Sequence, residues 1–183
     1  MKTATSSLWP GLRPRGANGR ENQISAAWLE KVTTRPLVMH AMLFGGAVHV
    51  DVLRSPRINL NNPVRLFHKV QTMRLLKEEL KNPNVSDPDE LILAILTLGA
   101  SEVETMMNNM RLKTRSPFNS PLSSSQWLDV YGSMAHIKEH TLAMRSLVDR
   151  QGGLEKIRLE GLAEVLELQV LTFLTLPTRC RLI

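Results

Sequence analysis

The sequence predicts an all-α protein folded as an irregular bundle of about six helices. Apolar residues recur at three- and four-residue spacing over most of the chain, whereas no segment shows the alternation of a β-strand. Proline, asparagine and glycine residues stand where these segments would begin and end. With 183 residues and only 4% aromatic side chains, one domain with a core of Leu, Ile, Val and Met is expected.

The first part of the chain is expected to be a basic disordered tail over residues 1–22. A helical domain over residues 23–176 follows, with a short tail over 177–183. The first predicted helix runs from Ile24 to Val32, and the second runs from Leu37 to Leu53 directly after Pro36. The adjacent glycines 45–46 within the second helix indicate close helix packing or a kink.

The third helix has a distinct start and end in the sequence. Asn62 can cap it and Pro63 suits its first position. An apolar stripe then follows at helical spacing, and Asn82-Pro83-Asn84 ends the helix. The stripe consists of Leu66, Val70, Met73, Leu76 and Leu80.

The fourth helix is expected to pass through the centre of the bundle. Asp87 caps it, Pro88 opens it and Glu90 reaches back as in a capping box. Residues 91–98 are apolar on every side, so this stretch needs cover all round. In the second half of this predicted helix, the methionine-rich residues 103–110, apolar side chains occupy a narrower face.

A loop over residues 111–125 leads into a long helix, predicted from about Ser124 to Gln151, with Gly152-Gly153 as its C-terminal cap. The last helix is predicted from about Glu160 to Leu176. It is apolar over most of its circumference, so we expect the bundle to be incomplete at its C-terminus.

Composition excludes several function classes. The single cysteine, Cys180, can form neither an internal disulfide nor a cysteine-based zinc module. The net charge of +6 is spread over a tail, a helix and a loop, so direct DNA binding by this chain is not expected. No apolar run reaches the roughly 18–20 residues of a membrane span.

One catalytic pattern is present, the sequence His136-Ile137-Lys138-Glu139-His140, which matches the H-x-x-E-H motif of inverted zinc metallopeptidases. A zinc-dependent hydrolase would use both histidines as ligands and Glu139 as base, and it would need a third ligand from a later acid. The simpler interpretation is a solvated helix face. We therefore predict no enzyme, no cofactor, and no catalytic or metal-binding residue, and we keep the hydrolase as an alternative. Histidines 40 and 49 are interpreted as core or interface residues.

The stretch from Gln126 to Ala163 resembles the helical regulatory domain of fungal-specific transcription-factor-like proteins. The resemblance is carried by residues 126–132, by His140, by the Arg150–Leu154 turn with its two glycines, and by residues 160–163. Upstream, residues 67–80 and 87–96 are similar to the two preceding helices of that domain, so the likeness covers roughly residues 37–170.

The resemblance implies a nuclear transcription regulator whose helical domain acts through protein partners, self-association or a small effector, with the cytoplasm as the alternative location. Family members often carry a six-cysteine zinc cluster that binds DNA, and this chain has no residues to match it. Family domains usually continue further, and residues 178–183 are unlike the family. A non-functional truncated fragment is therefore the second alternative.

Overall fold

The computed structural model describes residues 21–54, 61–82, 87–100 and 137–167. Over these residues the protein is all-α, and no strand occurs among them, which confirms the predicted fold class. The helices are α1 (Glu21–Thr34), α2 (Pro36–Arg54), α3 (Pro63–Leu80), α4 (Pro88–Ala100) and α5 (Lys138–Gln151). A 3-10 turn over Leu154–Lys156 and a helix over residues 162–167 follow. The tail predicted over 177–183 and residues 1–20 of the tail predicted over 1–22 lie outside the described residues, whereas Glu21 and Asn22 belong to α1.

Helix α4 is central, as the sequence predicts. Its residues from Leu91 to Ile95 are all at most 3% exposed, and it packs against α2, α3 and α5. Leucines 159, 162 and 166 join the same apolar core, together with Trp28 of α1. The Nε1–H of Trp28 donates to the carbonyl oxygen of Glu160 at 2.7 Å, which ties the first helix to the end of the described chain.

The predicted caps of α3 and α5 are confirmed. The Asn62 side chain accepts hydrogen bonds from the backbone N–H groups of Val64 and Arg65. At the end of α5, Gly152 and Gly153 have φ angles of 98° and 111°, a region that glycine enters without steric cost. Their N–H groups donate to the carbonyls of Asp149 and Val148, which is the bonding pattern of a Schellman motif.

The predicted capping box of α4 forms only in part. The Asp87 carboxylate accepts from the backbone N–H of Asp89 at 3.1 Å, as a cap should. Glu90 does not reach back to Asp87. Its carboxylate instead accepts from Lys31 and Arg35 at 2.8 and 2.6 Å, because the α1–α2 junction brings both cations to this buried side chain.

The long helix predicted from Ser124 to Gln151 is wrong at Ile137. This residue has extended backbone angles (φ −74°, ψ 114°), and the helix begins at Lys138. A β-branched side chain favours such a conformation, and the apolar periodicity on which the prediction rests carries no information about a break. The part of the prediction before Ile137 lies outside the described residues.

The glycine pair in α2 does not mark a break, since the helix continues to Arg54. A Cβ atom added to Gly46 would meet nothing within 4 Å, so close packing does not explain this glycine. The close approach is at Gly99 in α4, where an added Cβ would lie 3.1 Å from Nδ1 of His140.

Candidate functional site

Helix α3 presents an unusual surface. Nine large apolar side chains in the described part of the chain are exposed, and six of them lie on this helix. These six are between 38% and 59% exposed. They are Val64, Leu66, Phe67, Val70, Met73 and Leu80. Four of the five residues of the predicted stripe are therefore exposed, although a stripe of this kind ordinarily faces a core.

The opposite face of α3 packs into the bundle and carries buried polar residues, while Leu75 and Leu76 pack against the apolar core. Thr72 is fully buried and donates its hydroxyl to the carbonyl of His68 at 2.8 Å. The buried guanidinium of Arg65 lies 3.8 Å from the carboxylate of Asp51 in α2. Because these polar groups find partners inside, α3 can bury this face and leave its apolar stripe outside.

The C-terminal half of the stripe borders a groove between α3, α4 and α5. The groove encloses about 390 Å³. It is lined by Met73, Leu76, Lys77, Leu80, Lys81, Leu98 and His140. Its floor is apolar, and both lysines are exposed at its rim. Neither lysine forms an ion pair with another residue in the described ranges.

His140 is one of the residues that line this groove. Its Nδ1 atom is buried, has no hydrogen-bond partner among the described residues and lies against α4, since a Cβ added to Gly99 would be 3.1 Å from it. In the hydrolase alternative His140 would be a zinc ligand, and the structure places it between α4 and α3 instead of on a solvated face.

A histidine pair joins α2 to α3. The Nδ1 atoms of His40 and His68 are 2.9 Å apart, so one ring donates and the other accepts. The ring of Phe67 packs edge-on against both imidazoles. Burial lowers the pKa of both histidines below 6.5, and the nearby charge of Arg74 lowers the pKa of His40 further. The pair is therefore a neutral helix–helix contact at pH 7.

His49, the other histidine of α2, is buried, in agreement with its interpretation as a core residue, and burial lowers its pKa.

The buried acids at the start of α4 have structural partners. Asp89 accepts from the backbone N–H groups of Arg158 and Leu159 at 2.8 and 2.9 Å, and from the Gln151 amide at 3.0 Å. Glu90 is held by Lys31 and Arg35, as described above. Every described hydrogen bond of these two carboxylates joins one part of the bundle to another, so they act as links within the fold.

Asp87 extends this network. Burial alone would raise the pKa of its carboxyl, but the hydrogen bonds from Lys31 and from the Asp89 N–H, with the charges of Lys31 and Arg158, hold it below 3.8. The pKa of Lys31 is raised above 10.5, because its bonds to Glu90 and Asp87 outweigh the opposing effect of burial. Asp87 and Lys31 therefore stay ionised over the physiological pH range.

The remaining sequence candidates give no catalytic arrangement among the described residues. Glu139 is exposed, and no group of three histidine, cysteine or acidic side chains in the described ranges could hold a metal ion. His136 and the methionine-rich residues 103–110 lie outside those ranges. The proposal of a zinc-dependent hydrolase thus stays an untested alternative.

Sequence reasoning recognised the apolar residues of α3 but not that they are exposed. The signal was present in the same helix, since Arg65, His68 and Thr72 form a second, polar face whose partners are on α2 or on α3 itself.

Comparison with known proteins gives no family assignment. No protein-family model, curated protein or solved structure matches the chain. Among the helices that the structure describes, none has the length and apolar character required to cross a membrane.

Proposed function

We propose that this chain is a non-catalytic regulatory domain of a transcription regulator that acts by binding a protein partner. The observation that carries the proposal is the exposed apolar face of α3. Contiguous apolar surface on a folded protein is typical of an interaction site, whereas single exposed apolar residues are ordinary. Six such side chains along one helix are the more specific pattern.

The link to transcription comes from the resemblance to the fungal regulatory domain. Within the segment that carries the resemblance, Gly152 and Gly153 both adopt positive φ angles and form the C-terminal cap of α5. The proposal includes a nuclear location, with the cytoplasm as the alternative. The chain would depend on another module or subunit for DNA contact.

A reporter assay tests this role. The full 183-residue chain is fused to a heterologous DNA-binding domain and expressed in yeast with a reporter gene that carries the matching operator. We expect a several-fold change in reporter output relative to the DNA-binding domain alone. The control is Leu93→Asp, which places a charge at a core position that is 1% exposed and should abolish the effect.

An unchanged reporter signal from a well-expressed, helical fusion would contradict the regulatory role. A second measurement addresses the alternative of a non-functional fragment. Thermal unfolding of the purified chain, followed by circular dichroism at 222 nm, should be cooperative, as expected of an intact small domain. A gradual loss of signal without a transition would favour the fragment.

A further inference from the structure

We infer that the exposed face of α3 binds an amphipathic helix with acidic flanks, carried by a protein partner. This inference rests on the proposed function, because it names the chemistry of the partner through which the domain acts. It is argued from the length of the apolar face and from the charges beside it.

The exposed apolar face of α3 is long enough to contact a helix along several turns and is longer than a small ligand. Leu66 and Leu80 are 14 residues apart, which corresponds to about 21 Å along an α-helix, or almost four turns. Leu66, Met73 and Leu80 are spaced by seven residues each, with Val70 between the first two. A seven-residue apolar repeat is the pattern by which one helix packs along another.

The charges beside the face select an acidic partner. Lys77 and Lys81 flank the apolar floor of the groove, and neither has an ion-pair partner in the part of the chain that the structure describes. From Pro63 to Lys77 the helix contains no acidic residue. Acidic side chains at one end of the incoming helix would therefore meet two cations, while basic ones would be repelled.

The same charges disfavour a parallel pairing with a second copy of this chain. In such a pairing Lys77 and Lys81 would face the same residues of the other copy, which places like charges together.

The experiment uses two synthetic probes. One is a fluorescein-labelled 18-residue helical peptide with leucines at heptad spacing and glutamates on both flanks, and the other has lysines in place of the glutamates. Binding to the full chain is measured by fluorescence anisotropy at 0.1 M salt. We expect the acidic peptide to bind and the basic peptide to bind at least about tenfold more weakly.

Variants locate the site and test the charge argument. Val70→Asp should abolish binding of the acidic peptide, whereas Leu29→Asp, which changes an exposed leucine on α1, should leave it unchanged. The double variant Lys77→Glu/Lys81→Glu should weaken the acidic peptide about tenfold and strengthen the basic one. All of these positions are exposed, so circular dichroism should show the wild-type helix content for each variant.

Three outcomes would overturn the inference. Equal loss of binding in Val70→Asp and Leu29→Asp would mean that the peptide binds elsewhere. A wild-type dimer that becomes a monomer in Val70→Asp, seen by light scattering, would make a second copy the occupant. Failure of the Cys180→Ser/Val70→Cys variant to react with a maleimide would mean that the chain itself covers the face.

The reporter assay separates this inference from the proposed function. If Val70→Asp leaves the reporter effect of the fused chain unchanged, the regulatory role is retained and the binding site on α3 is contradicted. If the wild-type fusion has no effect on the reporter while the acidic peptide still binds at α3, the binding site is retained and the transcriptional role is contradicted.

Discussion

Replacement of Asp89 provides the sharpest test of how the described bundle is held together. Its almost fully buried carboxylate accepts three hydrogen bonds, two from backbone N–H groups near the end of the described chain and one from Gln151. Asp89→Ala removes the acceptor for all three and leaves the N–H of buried Leu159 unsatisfied. At about 1–2 kcal/mol for each bond, we expect unfolding free energy to fall by about 3–5 kcal/mol.

Asp89→Asn should be far milder, because the hydrogen-bond pattern can be kept. The asparagine oxygen can accept the two backbone N–H groups, while its NH₂ group faces Gln151. The Oε1 atom of Gln151 is buried and has no partner among the described residues. Rotation of the Gln151 amide by 180° would turn this oxygen towards the new donor. A loss of about 1 kcal/mol is expected.

Urea unfolding followed by circular dichroism at 222 nm measures the difference. With a denaturant dependence of about 2 kcal/mol per molar urea, the Ala variant should shift the midpoint by about 2 M and the Asn variant by about 0.5 M. Equal shifts would refute this reasoning. They would mean that the charge of Asp89 near the start of α4, and not its acceptor geometry, stabilises the fold.

Two further predictions concern the helices and their response to pH. Gly46→Ala should raise the unfolding free energy by about 0.5–1 kcal/mol, since its Cβ meets nothing within 4 Å. Gly99→Ala should stabilise less than Gly46→Ala, because its Cβ would lie 3.1 Å from Nδ1 of His140, which must shift to make room. Urea unfolding of both variants checks this, and equal stabilisation by the two substitutions would contradict the described packing. Stability should fall as pH drops below about 6.5, because burial lowers the pKa of His40 and His68 in the folded protein and the unfolded chain then binds more protons. The loss of stability should continue as the pH falls to the pKa values of the two histidines in the folded protein. The urea concentration at half unfolding, measured between pH 7.5 and 5.5, should therefore depend less on pH in the His40→Gln/His68→Gln variant than in the wild type. An identical pH dependence in the two proteins would exclude the histidine pair as the cause.

Local signals in the sequence were sufficient to place the helix starts and ends that depend on one or two residues. Asn62 with Pro63, and Gly152 with Gly153, determine their own backbone geometry, so the caps of α3 and α5 could be predicted. The central position of α4 followed from its apolar character all round, since such a helix can be stable only with cover on every side.

Features that depend on distant partners could not be predicted in the same way. Glu90 was expected to cap its own helix, but Lys31 and Arg35 approach it from a junction more than 50 residues earlier. The exposure of the apolar stripe of α3 also depends on distant partners. Hydrophobic periodicity identifies which residues share a face, but the partners available to the other face decide which one is buried.

The polar inner face of α3 also bears on how a site on its outer face can be studied. The contacts of α3 with the bundle include the Arg65–Asp51 ion pair, the His40–His68 hydrogen bond, and the packing of Leu75 and Leu76 against the core, and none of these involves Val70 or Lys77. Substitutions at Val70 or Lys77 should therefore leave the attachment intact, since surface changes away from packed groups usually alter stability by no more than about 0.5 kcal/mol. This separation allows loss of binding to be distinguished from loss of folding. It also explains how the stripe could vary with the partner while the fold stays the same.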